Sequence, residues 1–362
     1  MNRQETLRIY NGVYSMTFFS LLKNLFAAST SSPSTSECQI QHISKSTGIK
    51  THTHFRNINA ERFLSVRDPD FFGIAHYSSN HRWCVGTSDS DGTGRGGFRE
   101  KGNGTVILVD LHNQNIVHLL NIFKRPVDAA VADNGNYIIH DSGFGSALQG
   151  DIVCIQYNAK KLYQHHYNSN IISVGLSHCG KFVAVQTAVN ESSSDGNRLE
   201  LISLAENKIM FSVLPASGWA DGYIFDTNHE GRLTSLRVVH KKLGAFRYLP
   251  SGEFIDYEAL TNAQLSSSDY SIKLLCARDL IEKEADMEIA TKTLQAAESA
   301  LHEGAQDHSD WCAVAYRVKG ESLEVLGRQA EAFAAYEEAL RHNPKIGVKR
   351  KADNLRKKLR QQ

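Results

Sequence analysis

The chain has 362 residues, 40 Lys and Arg against 39 Asp and Glu, 41% hydrophobic and 22% charged residues. That length exceeds one ordinary domain and the composition is that of a folded globular protein, which excludes a disordered or collagen-like chain. A formal net charge of +1 lacks the basic excess of most duplex-binding domains, so nucleic acid is not an expected partner.

At the amino terminus, residues 15–29 (SMTFFSLLKNLFAAS) carry an apolar run broken by Lys23 and Asn24. Met16 to Leu22 is too short to span a bilayer and poor as a secretory core. The segment reads as a short amphipathic helix that docks on protein or makes peripheral membrane contact, and Met16 is an alternative start. Ser29–Ser36 is a Ser/Thr-rich linker, so residues 1–36 are expected to be mobile. Residues 37–60 suggest a β-hairpin turning at Ser44–Gly48, with Cys38, His42, His52 and His54 on it. Zinc accepts these residue types. Only Cys38 and His42 clearly share a strand face, so a solvated polar hairpin is the preferred reading.

From 61 to 260 the apolar spacing alternates and turn residues become frequent, as in strands. An apolar strand, a corner and a second apolar strand recur at His81-Arg82-Trp83, Gly135-Asn136-Tyr137, Gly180-Lys181-Phe182 and Gly231-Arg232-Leu233. Hairpins alternate with them, at 104–120 and in the stretches beginning at Gly150, Asn197 and Gly244. The corner spacings of 45 and 51 residues suit a four-stranded blade. With Val109-Asp110 where the Trp-Asp pair would stand, the region resembles tryptophan-aspartate (WD) repeat propellers. The resemblance implies about four blades, and closure of the ring by Phe254 to Tyr257 beside Phe71 to Tyr77. The Trp-Asp and Gly-His pairs themselves are missing.

Within this region Asp89, Asp91, Thr93 and Glu100 place oxygen donors at the offsets of a calcium loop. Thr at the fifth position, strand-like flanks and the following GTGRGG favour a flexible loop. No cofactor is expected, with calcium here as the alternative. Asp110, Asp128, Asp133, Asp221 and Asp226 are read as turn residues near strand ends.

Residues 261–269 lack periodicity and read as a linker. From 270 to 344 the pattern becomes helical: 270–284, a break at Ala285-Asp286, 288–304, an insertion from His302 to Asp310, then WCAVAYRVKGESLEVLGRQAEAFAAYEEALRHNP. Tyr316, Gly320, Leu323, Ala332, Tyr336, Ala339 and Pro344 stand at the offsets of a tetratricopeptide repeat, whose small residues let paired helices approach. Lys319 departs from the pattern, replacing a large apolar residue. The resemblance implies stacked helix pairs that bind proteins, with Arg317, Lys319 and Glu321 as candidate contacts. Residues 345–362 form a basic capping helix, with Val348, Ala352, Leu355 and Leu359 opposite Lys349, Arg350, Lys351, Arg356, Lys357 and Lys358.

The six cysteines are scattered, which suits a reducing, cytoplasmic setting. None stands in a catalytic sequence context, and no nucleophile, acid–base pair or cofactor loop is recognisable. The sequence therefore points to a multidomain chain, an all-β propeller-like domain followed by an all-α tetratricopeptide-like array, acting as a non-catalytic protein-binding scaffold or adaptor. The alternative is a ligand-binding, metal-binding or catalytic propeller whose helical tail oligomerises it.

Overall fold

The computed structural model describes residues 63–89, 101–145 and 147–361. The expectations for residues 1–60, including residues 15–29, Cys38, His42, His52 and His54, lie outside them, as do Asp91, Thr93 and Glu100. The described chain divides into two units, one of strands through His240 with Arg247–Ile255, the other of Lys241–Phe246 with Asp256 onward.

The described strands form four antiparallel sheets taken in chain order. The first sheet holds β1 (Phe63–Val66), β2 (Phe71–Tyr77), β3 (Trp83–Ser88), β4 (Gly104–Asp110) and β5 (Asn115–Phe123). The second holds β6 (Pro126–Val131), β7 (Tyr137–Asp141), β8 (Gly150–Ile155) and β9 (Lys161–Tyr167). The third holds β10 (Ile171–Leu176), β11 (Phe182–Thr187), β12 (Leu199–Ser203) and β13 (Lys208–Val213), and the fourth β14 (Gly222–Thr227), β15 (Leu233–His240) and β16 (Gly244–Tyr248). The second, third and fourth sheets each begin with an inner pair followed by outer strands, a blade-like order; in the first sheet β1 stands before that pair, on the edge of β2. The inner pairs turn at His81, Gly135, Gly180 and Gly231, all at positive φ from 56° to 83°. Glycine enters that region without a Cβ clash, which accounts for three of the four corners.

Consecutive sheets are locked by hydrogen bonds between corners and by buried tyrosines. Asn80 N–H donates to Asp133 Oδ1 at 2.9 Å, and Asp133 N–H to the His178 carbonyl at 2.9 Å. Tyr137 meets His118 Nε2 at 2.8 Å, and Tyr167 donates to Glu200 at 2.8 Å. Both tyrosines are fully buried, so each hydroxyl needs the partner it has found. Apolar residues on both faces of the middle strands β3, β4, β7, β8, β11 and β12 fill the core.

Two expectations are corrected. Phe254 to Tyr257 do not pair beside Phe71–Tyr77; β1 occupies that edge of β2, and Phe254 instead bridges Tyr248 and packs on its ring at 4.8 Å. The stretch 261–269 is not wholly a linker, because α1 (Tyr257–Leu265) runs into it. Its single buried side chain, Leu260, leaves too faint an apolar stripe to be seen in sequence.

The second unit continues with α2 (Tyr270–Lys283), α3 (Met287–His302), α4 (Ser309–Val325), α5 (Gln329–His342) and α6 (Lys349–Leu359). Asp269 caps α2 through Ser271 N–H at 3.0 Å, and Asp286 caps α3 through Ile289 N–H at 2.8 Å. Helix α4 ends with Gly327 at φ 74°. Gly327 N–H donates to the Glu324 carbonyl and Arg328 N–H to the Leu323 carbonyl, the two closing bonds of a Schellman turn.

Successive helices run antiparallel. Lys273 at the start of α2 reaches Glu303 just past α3; Thr293 early in α3 meets Ser322 late in α4; Ser309 at the start of α4 bonds the His342 carbonyl ending α5. One apolar cluster joins Leu274 and Ala277 with Ala297, Ala315 and Val318. A second joins Leu294, Leu323, Ala332, Tyr336 and Ala339 with Val348, Ala352 and Leu355. Helix α4 contributes to both, so the helices form one continuous core rather than isolated hairpins.

Candidate functional site

The helical unit sets α2, α4 and α6 in a row, with Arg317 of α4 at its centre. Its guanidinium reaches Glu282 of α2, Glu321 Oε1 at 3.3 Å and the Ile346 carbonyl at 3.4 Å. Lys351 of α6 joins the same Glu321 oxygen at 2.8 Å. Spacing by four residues puts Arg317 and Glu321 on one helix face. Glu321 is only 6% exposed, and its Oε2 has no partner among the described residues. Leaving a carboxylate oxygen buried and unbonded is costly.

Lys319 lies elsewhere, paired with Glu298 of α3 at 2.9 Å. The structure therefore brings Arg317 and Glu321 together and separates Lys319 from them, as a shift of two residues around a helix requires. Tyr316 stacks on His342 with centroids 6.1 Å apart. Gly320 lies under the Tyr336 ring, Leu323, Ala332 and Ala339 are buried, and Pro344 is exposed just past α5. On α6, Val348, Ala352 and Leu355 are buried. Lys351 and Arg356 bend inward from the basic face, Arg356 to Glu337 at 3.1 Å.

The sheet unit has its own polar cluster, which the sequence did not single out. The first strands of the four inner pairs, β2, β6, β10 and β14, lie side by side in that order, whereas β14 and β2 are not packed in this way. Each contributes one polar side chain: His76, Asp128, Ser173 and Tyr223. His76 Nδ1 is 3.7 Å from Asp128 Oδ1, and the Ser173 and Tyr223 hydroxyls are 2.7 Å apart. Strand register breaks between Pro126 and Asp128, and again between Ile171 and Ser173; such bulges re-aim side chains. Gly175 lets the Tyr223 ring lie against β10, since a Cβ there would meet the ring at 2.6 Å.

Burial holds the His76 imidazole down at about 4 and raises the Asp128 carboxyl to about 6. Asp128 nevertheless keeps 42% of its side-chain surface accessible. Asp128 lies within β6, between β2 and β10. Asp128 is thus no turn residue, unlike Asp110, which accepts His112 and Asn113 N–H groups after β4. Asp128 and Ser173 both stand seven residues before their corner glycines, a recurrence that marks equivalent inner-strand positions.

Asp89 lies 3.7 Å from Arg125 Nε, and among the described residues no group of three acidic, His or Cys side chains could hold a metal. Burial pushes the thiols of Cys84 and Cys276 up to about 12, and that of Cys154 upward as well, which suits core residues rather than nucleophiles. No described helix is long and apolar enough to cross a membrane.

No protein-family model and no curated protein matches the chain. Among solved structures it is similar to the Pan2 WD40 domain of Neurospora crassa, with 10% identity over 53% of this chain and 57% of that one, at a TM-score of 0.34. TolB of Acinetobacter baumannii is 15% identical over 57% and 50%, at 0.34. The Cps50 (Swd1) propeller of Myceliophteria thermophila is 12% identical over 59% and 68%, at 0.31. The chain spans about half to two thirds of these relatives' own length.

Proposed function

We propose that the protein is a non-catalytic interaction scaffold whose helical unit docks a protein partner along the α2–α4–α6 row. The observation carrying this is the Glu282–Arg317–Glu321–Lys351 network, which draws three separate helices into one face. We take the α4–α5 pair as tetratricopeptide-like, supported by the seating of Gly320, Ala332, Tyr336 and Ala339 in one hairpin, and the four sheets as blades of a propeller-like module that offers a second surface.

The test is affinity capture with the full chain, native and carrying Glu282→Lys with Lys351→Ala at the exposed ends of the row. With melting unchanged, at least one protein retained by the native chain should be lost by the variant. Identical retained sets would argue against docking on this face.

A further inference from the structure

We infer that the adjoining strands β2, β6, β10 and β14 of the sheet unit form a binding site for a single positively charged ammonium or guanidinium group, with Asp128 as its counter-ion. The site is independent of the helical row. Asp128 Oδ1 accepts only the Ala129 N–H, at 2.9 Å, and Oδ2 has no partner among the described residues. Among the described residues no lysine or arginine pairs with it. Its nearest basic neighbour, His76 Nδ1, is beyond hydrogen-bonding distance at 3.7 Å, and burial keeps that ring neutral at pH 7. On the adjoining strand, His140 sits opposite Asp128 and is likewise held down at about 4 by burial, while the nearby Arg125 lies against Asp89.

A carboxylate partly screened from water, with neutral surroundings, draws a cation more strongly than one in open water. Such a carboxylate is retained at a cost in stability, since charge is disfavoured where water is displaced. The remaining groups suit an N–H-rich guest rather than a spherical ion. The linked hydroxyls of Ser173 and Tyr223 keep lone pairs to accept N–H bonds, and burial, with the Asp128 charge adding to it, raises the Tyr223 phenol so that it stays protonated. With one carboxylate and, among the described residues, no second acid beside it, the donor set falls short of a hard-cation cage.

The ammonium or guanidinium could come from a free small amine or from a Lys or Arg side chain of a peptide, and the experiment separates these. Binding to the full chain would be measured calorimetrically at pH 7.5 with agmatine, with acetyl-Ala-Arg-Ala-amide, with acetyl-Ala-Lys-Ala-amide, with the norleucine tripeptide as uncharged control, and with calcium chloride. At least one cationic probe should bind, at least tenfold more weakly to Asp128→Asn and several-fold more weakly to Tyr223→Phe, and native affinity should fall as pH drops below about 6. Binding of agmatine alone would identify a free amine as the guest, and binding of the tripeptides a protein side chain; either supports the site. Absence of any cationic binding, equal binding to folded Asp128→Asn, equal binding of the norleucine control, or a response to calcium alone would each overturn it. Should Asp128→Asn fail to fold, pH-independent binding by the native chain would serve the same end.

Discussion

A methyl group placed on Gly320 would meet the ring of Tyr336 at 2.5 Å. The two residues belong to adjacent antiparallel helices, and the ring is fully buried with its hydroxyl bonded to Glu324 at 2.8 Å. Neither helix can withdraw without opening the core that joins Leu323, Ala332, Ala339 and Val348.

Substituting Gly320→Leu should therefore destabilise the helical unit by overpacking, by about 1–3 kcal/mol or more. Thermal unfolding of the full chain followed by helical circular dichroism would read this as a lowered transition. An unchanged transition would mean that the two helices do not meet as described.

A second contact tests the junction between the second and third sheets. The buried Tyr167 hydroxyl donates to Glu200, itself nearly buried, at 2.8 Å. Tyr167→Phe strands the carboxylate and should cost about 1–3 kcal/mol. Glu200→Gln, which keeps an acceptor for the hydroxyl, should cost less. Paired denaturant titrations of the two variants would show the order.

Lys273 and Glu303 form an ion pair with unequal surroundings, the lysine being 3% exposed and the glutamate 35%. Removing the glutamate leaves a buried charge, whereas removing the lysine leaves a carboxylate that water can reach. Glu303→Ala should thus cost about 3 kcal/mol, in the range found for breaking buried pairs, and Lys273→Met distinctly less. Comparing the melting temperatures of the two variants checks this.

Acid should weaken the sheet unit through its buried histidines. His76 and His140 are held at about 4, against 6.5 for an ordinary imidazole, by burial. The unfolded chain therefore binds protons first, so the stability these groups contribute is intact above 6.5 and is lost progressively as pH falls toward 4. Asp128, raised to about 6 by burial, works in the opposite sense, its charged form costing stability as pH rises from about 4 to 6. His140→Gln should flatten the acid limb between pH 6.5 and 4, as read from urea midpoints, and Asp128→Asn should raise the midpoint at pH 7.5.

Much of the architecture was legible because it repeats. The corners at Gly135, Gly180 and Gly231 show themselves by a residue type that positive φ demands, and the breaks around α3 and α5 by capping acids and Pro344. The helix packing of Gly320 against Tyr336 was visible for the same reason, since small residues at fixed offsets have few other uses. What stayed hidden depended on tertiary neighbours. Phe254 reads as a strand residue, and only the ring of Tyr248 decides where it goes. Asp128 reads as a turn acid, and only the alignment of four inner strands sets it beside His76. Lys319 reads as a neighbour of Arg317, but helical rotation turns it to Glu298.

The central proposal is that the α2–α4–α6 row is where a partner docks. Hydrogen exchange of the full chain, free and bound to a partner isolated by capture, measures this most directly. Protection is expected to rise in the segments holding Glu282, Arg317 and Lys351. Protection that rose only in other segments, with these three unchanged, would contradict it.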